Sequence, residues 1–203
     1  MNSKRAIKQL LEIKKYGKAM RLAAEEWGTE WQTLIAIILS ARTRDEVTIE
    51  VCKELFGEYE SLKELAEARA EGVSKIIRPV NFYRNKTKSV INCAKMLLEK
   101  FDGKVPHDID KLVELPGVGR KTANVFLAEK GYDNVGVDTH LAYCSRKLGW
   151  TKNLHPHKIE QDLMNLFPRQ YWNSLNPILV HFGKTFTSRR KKDELLEQIR
   201  KLR

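Results

Sequence analysis

The sequence predicts an all-α protein, on three observations. Apolar residues recur three and four apart along its 203 residues, the period of one helix face, and alternating strand patterns are absent. Start and stop residues for helices follow one another closely. The stretches between them run two to eight residues, a length that suits packed helices.

Each element has its own signal. The opening MNSKRAIKQLLEIKK reads as helix and is too charged for a signal peptide. Thr29-Glu30-Trp31-Gln32 forms a capping box, with Gln three residues after Thr. It opens WQTLIAIILSA, apolar on almost every face and therefore a central buried helix. After the polar break Arg42-Thr43-Arg44, Asp45 is a good N-cap for EVTIEVCKELF. SLKELAEA and VSKIIRPV are short helices, and RNKTKSVINCAKMLLEKF is a long one stopped by Asp102-Gly103 and Pro106. DIDKLVEL ends at Pro116-Gly117, and RKTANVFLAEKG is closed by Gly131. Asp138 caps THLAYCSRKLG, which ends at Gly149. Two more helices lie around 156–167 and 170–182, and SRRKKDELLEQIRKLR is a last basic helix.

Composition narrows the partners. Thirty-seven Lys and Arg stand against 26 Asp and Glu, a net charge of +11. Such an excess points to a polyanion, most simply nucleic acid, although a solvated Lys/Glu-rich surface has the same composition. Cys52, Cys93 and Cys144 have no metal-type spacing and lie in apolar helical contexts, which reads as buried free thiols in a reducing cytosol. The longest wholly apolar run, Leu34 to Leu39, is far short of the roughly 18 residues of a membrane span.

The densest signal is LPGVGRKTANVFLAEKGYDNVGVDTH, residues 115–140. Pro116, Gly117, Val118 and Gly119 form a turn between two predicted helices, with both glycines expected in conformations strained for other residues. The N–H groups at the start of the second helix converge on an anion site, which Arg120 strengthens and a DNA phosphate fits. An ordinary tight corner is the plain alternative; the flanking proline, the Arg-Lys pair and the +11 charge favour the phosphate. Lys121 follows in the first helical turn, where the dipole and Arg120 work against its ammonium form and favour the free amine of a nucleophile. A second phosphate contact is the other reading of Lys121. Asp138 serves as a cap, and an ionised carboxylate there also accepts a proton or stabilises a cationic transition state.

With these residues in view, the stretch resembles the helix-hairpin-helix signature of the endonuclease III family of DNA glycosylases, in the helix-hairpin-helix-GPD superfamily. ILSARTRDE, NFYRNKTKSVI and GKVPHDIDKLVEL resemble it too, and the likeness runs over roughly residues 25–185. The resemblance implies that Lys121 is the nucleophile, that Asp138 assists it, and that the enzyme combines glycosylase and abasic-site lyase activities. It implies two lobes with a DNA-binding cleft between them: a six-helix-type lobe at 30–133, with the hairpin at about 108–130, and a second made of 1–29 and 134–203. Arg42 and Phe82 match the positions that fill the gap left by an extruded base, where the family has glutamine and leucine; a phosphate contact and core packing are their plainer readings. Asp45 matches a residue near the active site.

The family's four cluster cysteines would begin near Thr187, but no cysteine follows Cys144, so no iron–sulfur cluster or other cofactor is expected. The basic tail stands in that place, packing through Leu195, Leu196, Ile199 and Leu202. Its Arg189, Arg190, Lys191 and Lys192 either contact phosphates or form a solvated face. The expected partner is double-stranded DNA with a damaged base or abasic site, met by a monomer in the cytoplasm, nucleoid-associated in a prokaryote, with no membrane role. Oxidised pyrimidines are the first substrate reading. A uracil or thymine mismatch glycosylase and a non-catalytic DNA-binding module are the alternatives.

Overall fold

Helix caps and apolar periodicity account for most of the backbone. A computed structural model describes residues 2–18 and 20–202, and its regular structure is helical throughout. The helices are α1 (Ser3–Tyr16), α2 (Glu30–Ser40), α3 (Asp45–Glu58), α4 (Leu62–Glu67), α5 (Ala70–Ile76) and α6 (Tyr83–Phe101), followed by α7 (Ile109–Leu112), α8 (Arg120–Glu129), α9 (Thr139–Leu148), α10 (Pro156–Leu166), α11 (Trp172–Thr185) and α12 (Arg189–Arg200). A 3₁₀ turn, Arg169–Tyr171, precedes α11.

The chain divides into two units. One is continuous, Arg21–Glu129; the other joins the residues before Arg21 to those from Lys130 onward. Residues 21–29 pack with the continuous unit because Trp27 meets the Phe56 ring edge-on at 5.1 Å. Its core is built around α2, which buries eight of its eleven residues. The Thr29–Gln32 capping box opens that helix, with both reciprocal bonds made. Each fully buried Leu or Ile along α2 contributes about 1.5–3 kcal/mol.

The second unit has its own core, into which α1, α9, α10, α11 and α12 each send apolar residues. A buried polar chain ties the two ends of the sequence together: the Trp150 indole donates to Gln9 Oε1 (2.7 Å), and Gln9 Nε2 donates to the Arg200 carbonyl (3.2 Å). The tail is a helix capped by Ser188, with Leu196 and Ile199 buried and Leu195 and Leu202 packed beside them.

Three elements depart from expectation. Asp45 is not the N-cap of α3: Arg44 holds that position without a side-chain bond, and Asp45 lies in the first turn, where its charge suits the dipole. Helix α5 runs 70–76 rather than 73–80, since Pro79 biases the residue before it away from helical angles. Helix α7 is one turn, not eight residues, because the approach to Pro116 tightens into i→i+3 bonds such as Leu115 N–H to the Leu112 carbonyl (3.1 Å).

Candidate active site

The hairpin between α7 and α8 is shaped by one glycine. Gly117 has φ +84°, and a Cβ there would stand 2.8 Å from Ser89 Cβ on α6 and 3.2 Å from Ile38 Cγ2 on α2. No side chain fits that corner. Gly119 corrects the expectation: its φ is not in the left-handed region, and a Cβ there would meet nothing within 4 Å. What Gly119 provides is a bare surface where another molecule can approach the backbone. Val118 is buried and anchors the turn, Pro116 is half-buried, and Gly117, Gly119 and Arg120 face solvent. Helix α8 starts there with no acidic residue in its first turn, so its leading N–H groups and dipole present a positive end. Lys121 is exposed in that turn, while Thr122 and Ala123 behind it are buried.

Asp138 belongs to the other unit. It is the N-cap of α9, its Oδ1 accepting from the Leu141 N–H at 2.8 Å. The cap leaves Oδ2 without a hydrogen bond among the described residues, and the side chain is only half-buried. The irregular segment that leads to Asp138 is fastened by two residues of α11 that sequence reasoning missed. Asn173 Oδ1 accepts from the Asn134 N–H (3.1 Å), and Asn176 Nδ2 donates to the Gly136 carbonyl (2.7 Å). Their signal was weak, amides within a helical pattern beside Pro177. Just past Asp138, the His140 ring lies against Gly183, where a Cβ would fall 2.1 Å from Nδ1.

Arg42 and Phe82 come together within the continuous unit. The Arg42 guanidinium lies over the Phe82 ring, 5.1 Å from its centroid. Phe82 is 57% exposed, so it is not a core residue. Both have left-handed backbones, φ +58° and +59°, which is rare for side chains of this size. Asn81, also missed from sequence, joins their loops: its side chain donates to the Arg42 carbonyl, and its N–H to Thr43 Oγ1 (3.2 Å).

The tail residues divide by use. Arg189 and Lys192 line a cavity of about 390 Å³ with Thr139, His140, Tyr143 and Thr187. Lys192 also donates to the Gly183 carbonyl (2.9 Å). Arg190 pairs with Glu194 (2.9 Å) on an exposed face, and Lys191 is exposed.

Residues 35–169 match the family model described as HhH-GPD superfamily base excision DNA repair protein. The chain belongs to this superfamily. It is 39% identical over 156 residues to endonuclease III of Thermotoga maritima, covering 76% of this chain and 73% of that one. With endonuclease III of a Synechocystis species the identity is 36%, over 92% of this chain and 86% of the relative. Its fold matches a trapped covalent intermediate of endonuclease III with DNA, an estranged-adenine complex. The TM-score is 0.84 at 30% identity, over 93% of this chain and 89% of that one. This HhH-GPD protein is therefore a base excision repair enzyme of the DNA glycosylase class.

Within the HhH-GPD chain the thiols are inert. Cys52, Cys93 and Cys144 are free and buried, and burial pushes each up to about 12. The two hairpin glycines should separate by mutation. Gly117→Ala is expected to lose about 2 kcal/mol or more of stability in urea denaturation, from its positive φ and the contact with Ser89. Gly119→Ala should stay within about 0.5 kcal/mol. Equal losses would contradict the distinction.

Proposed function

We propose that this HhH-GPD enzyme is a bifunctional DNA glycosylase and abasic-site lyase that removes oxidised pyrimidines from double-stranded DNA. The observation that carries the reading is Lys121, an exposed cation in the first turn of α8, directly behind a hairpin whose amides suit a phosphate. Its exposure gives the side chain access to a substrate, as a nucleophile needs.

The chemistry follows from the residue types. The hairpin from Pro116 to Arg120 holds a DNA phosphate and sets the strand's register. Arg42 and Phe82, stacked on each other, fill the gap as the damaged base rotates out. As the N-glycosidic bond breaks, positive charge grows on the sugar, and the Asp138 carboxylate stabilises it. The Lys121 amine forms a bond to C1′ while the base leaves with the bond's electron pair and takes a proton. The C1′–O4′ bond then breaks, O4′ takes the proton that the nitrogen gives up, and a protonated Schiff base remains. That cation accepts electrons from the C2′–H bond, the proton leaves to a base, and the 3′ phosphate is eliminated.

The test is a panel of duplexes, each with one site: an oxidised pyrimidine, uracil or thymine opposite guanine, or an abasic site. Cleavage of the oxidised-pyrimidine and abasic duplexes is expected. Excision confined to mismatches would change the substrate class, and no cleavage of any duplex would leave a DNA-binding module.

On this reading the chain acts without a cluster: its three cysteines are buried and far apart in sequence, one fewer than the four thiolates that such a cluster takes. The purified protein should be colourless, essentially iron-free by elemental analysis and fully active in EDTA. Stoichiometric iron would overturn this.

The tail supplies phosphate contacts in the cluster's place. Changing Arg189, Arg190 and Lys191 to Ala spares Lys192, which holds Gly183. Each lost contact should lower the log–log salt slope of binding by about 0.9, alike for damaged and undamaged DNA. An unchanged slope in a folded variant would make this cluster a solvated face.

A further inference from the structure

Lys86 is a buried lysine that the chemistry above does not use. It lies in the first turn of α6, where the helix dipole disfavours a cation, and only 8% of it is exposed. Its ammonium donates to the Leu39 carbonyl (2.8 Å), to the Ala41 carbonyl and to Thr43 Oγ1 (3.3 Å). Those three acceptors bracket Arg42. Its backbone N–H donates to the Phe82 carbonyl (3.1 Å). One residue thus fastens both loops, the one after α2 with its side chain and the one before α6 with its main chain.

The two loops need fastening. Arg42 and Phe82 both have left-handed backbones, a conformation that costs energy in a bulky residue and persists only where its surroundings hold it. Asn81 ties the loops from the solvent side, through the Arg42 carbonyl and Thr43 Oγ1. Lys86 ties them from the protein side. Burial brings its ammonium down to about 8, which leaves it charged and donating at neutral pH. A neutral polar side chain of shorter reach would not satisfy acceptors on three different residues.

We propose that Lys86 is a positioning residue for base extrusion: its ammonium sets the loop that carries Arg42 against the one that carries Phe82, so that the pair enters DNA as a single wedge. This rests on the function proposed above, since a wedge matters only to an enzyme that turns a base out of the duplex. Lys86 touches no reacting atom. Its loss should therefore slow steps that need extrusion and spare those that do not.

The experiment compares Lys86→Met, Lys86→Arg and Asn81→Ala with the unaltered chain in two measurements. The first is amide hydrogen exchange of the free protein. Lys86→Met should speed exchange in 39–45 and 79–83 while the rest of α6 is unchanged, and Lys86→Arg should restore much of the protection. The second is kinetic. Excision of a damaged base from duplex DNA should fall by about 10²-fold in Lys86→Met, a loss typical of displaced positioning groups. Cleavage at an abasic site in single-stranded DNA, where no base is extruded, should fall less than about three-fold. Unchanged loop exchange, or equal losses on the two substrates, overturns the proposal. If Lys86→Met does not fold, exposed Asn81→Ala decides: it should reproduce the duplex-selective loss, and normal duplex excision in that variant overturns the proposal. If the unaltered chain excises nothing, the function proposed above fails by itself, and the exchange measurement still decides whether Lys86 sets the loops.

Discussion

Lys121→Ala is expected to lose base excision and strand cleavage by roughly 10⁴-fold or more, the scale seen when a covalent nucleophile is removed. Its affinity for damaged DNA should stay close to that of the unaltered chain, because the hairpin amides and Arg120 remain. Its stability should change by no more than about 0.5 kcal/mol, since Lys121 is exposed and the buried face of α8 is untouched. Together these results separate a nucleophile from a phosphate contact. A phosphate-contacting lysine would instead weaken binding and lower the salt slope while leaving turnover at saturation nearly normal. Single-turnover kinetics and a binding titration on the same oligonucleotide measure both.

Asp138→Asn is expected to reduce single-turnover excision by about 10²–10⁴-fold, as loss of an electrostatic or acid–base group does. The fold should survive, because an Asn side-chain oxygen can accept the Leu141 N–H as Asp138 Oδ1 does. Asp138→Ala completes the comparison. It should match the catalytic loss of Asn and also lose about 1 kcal/mol of stability with the cap. If Asn retains activity and only Ala loses it, Asp138 is a cap and nothing more.

What could be read from the sequence was what is local. The Thr29–Gln32 box, the Asp138 cap and the Ser188–Arg200 helix each depend on residues within a few positions of one another. Gly117 was legible because a tight turn imposes its own residue type. The ends of α5 and α7 were misplaced because prolines downstream acted back on residues with good helical pattern. Gly119 was misread because two glycines in one turn look alike, although only Gly117 lies under Ser89 and Ile38. The ties that hold the site had no local signal. Asn81 reaches Arg42 across 39 positions, Lys86 reaches Leu39 across 47, and Asn176 reaches Gly136 across 40. Nor does any residue pattern announce a left-handed Arg42 or Phe82, because that conformation is imposed by surroundings and not by the side chain.

The central claim is that the amine of Lys121 joins covalently to DNA. Borohydride reduction during turnover on an abasic or oxidised-pyrimidine duplex should trap the protein on the strand, because a Schiff base is reducible. Protease digestion and mass spectrometry of the trapped complex should then find the sugar adduct on the peptide that contains Lys121. An adduct on any other amine, or cleavage with no trapped complex, would contradict the claim.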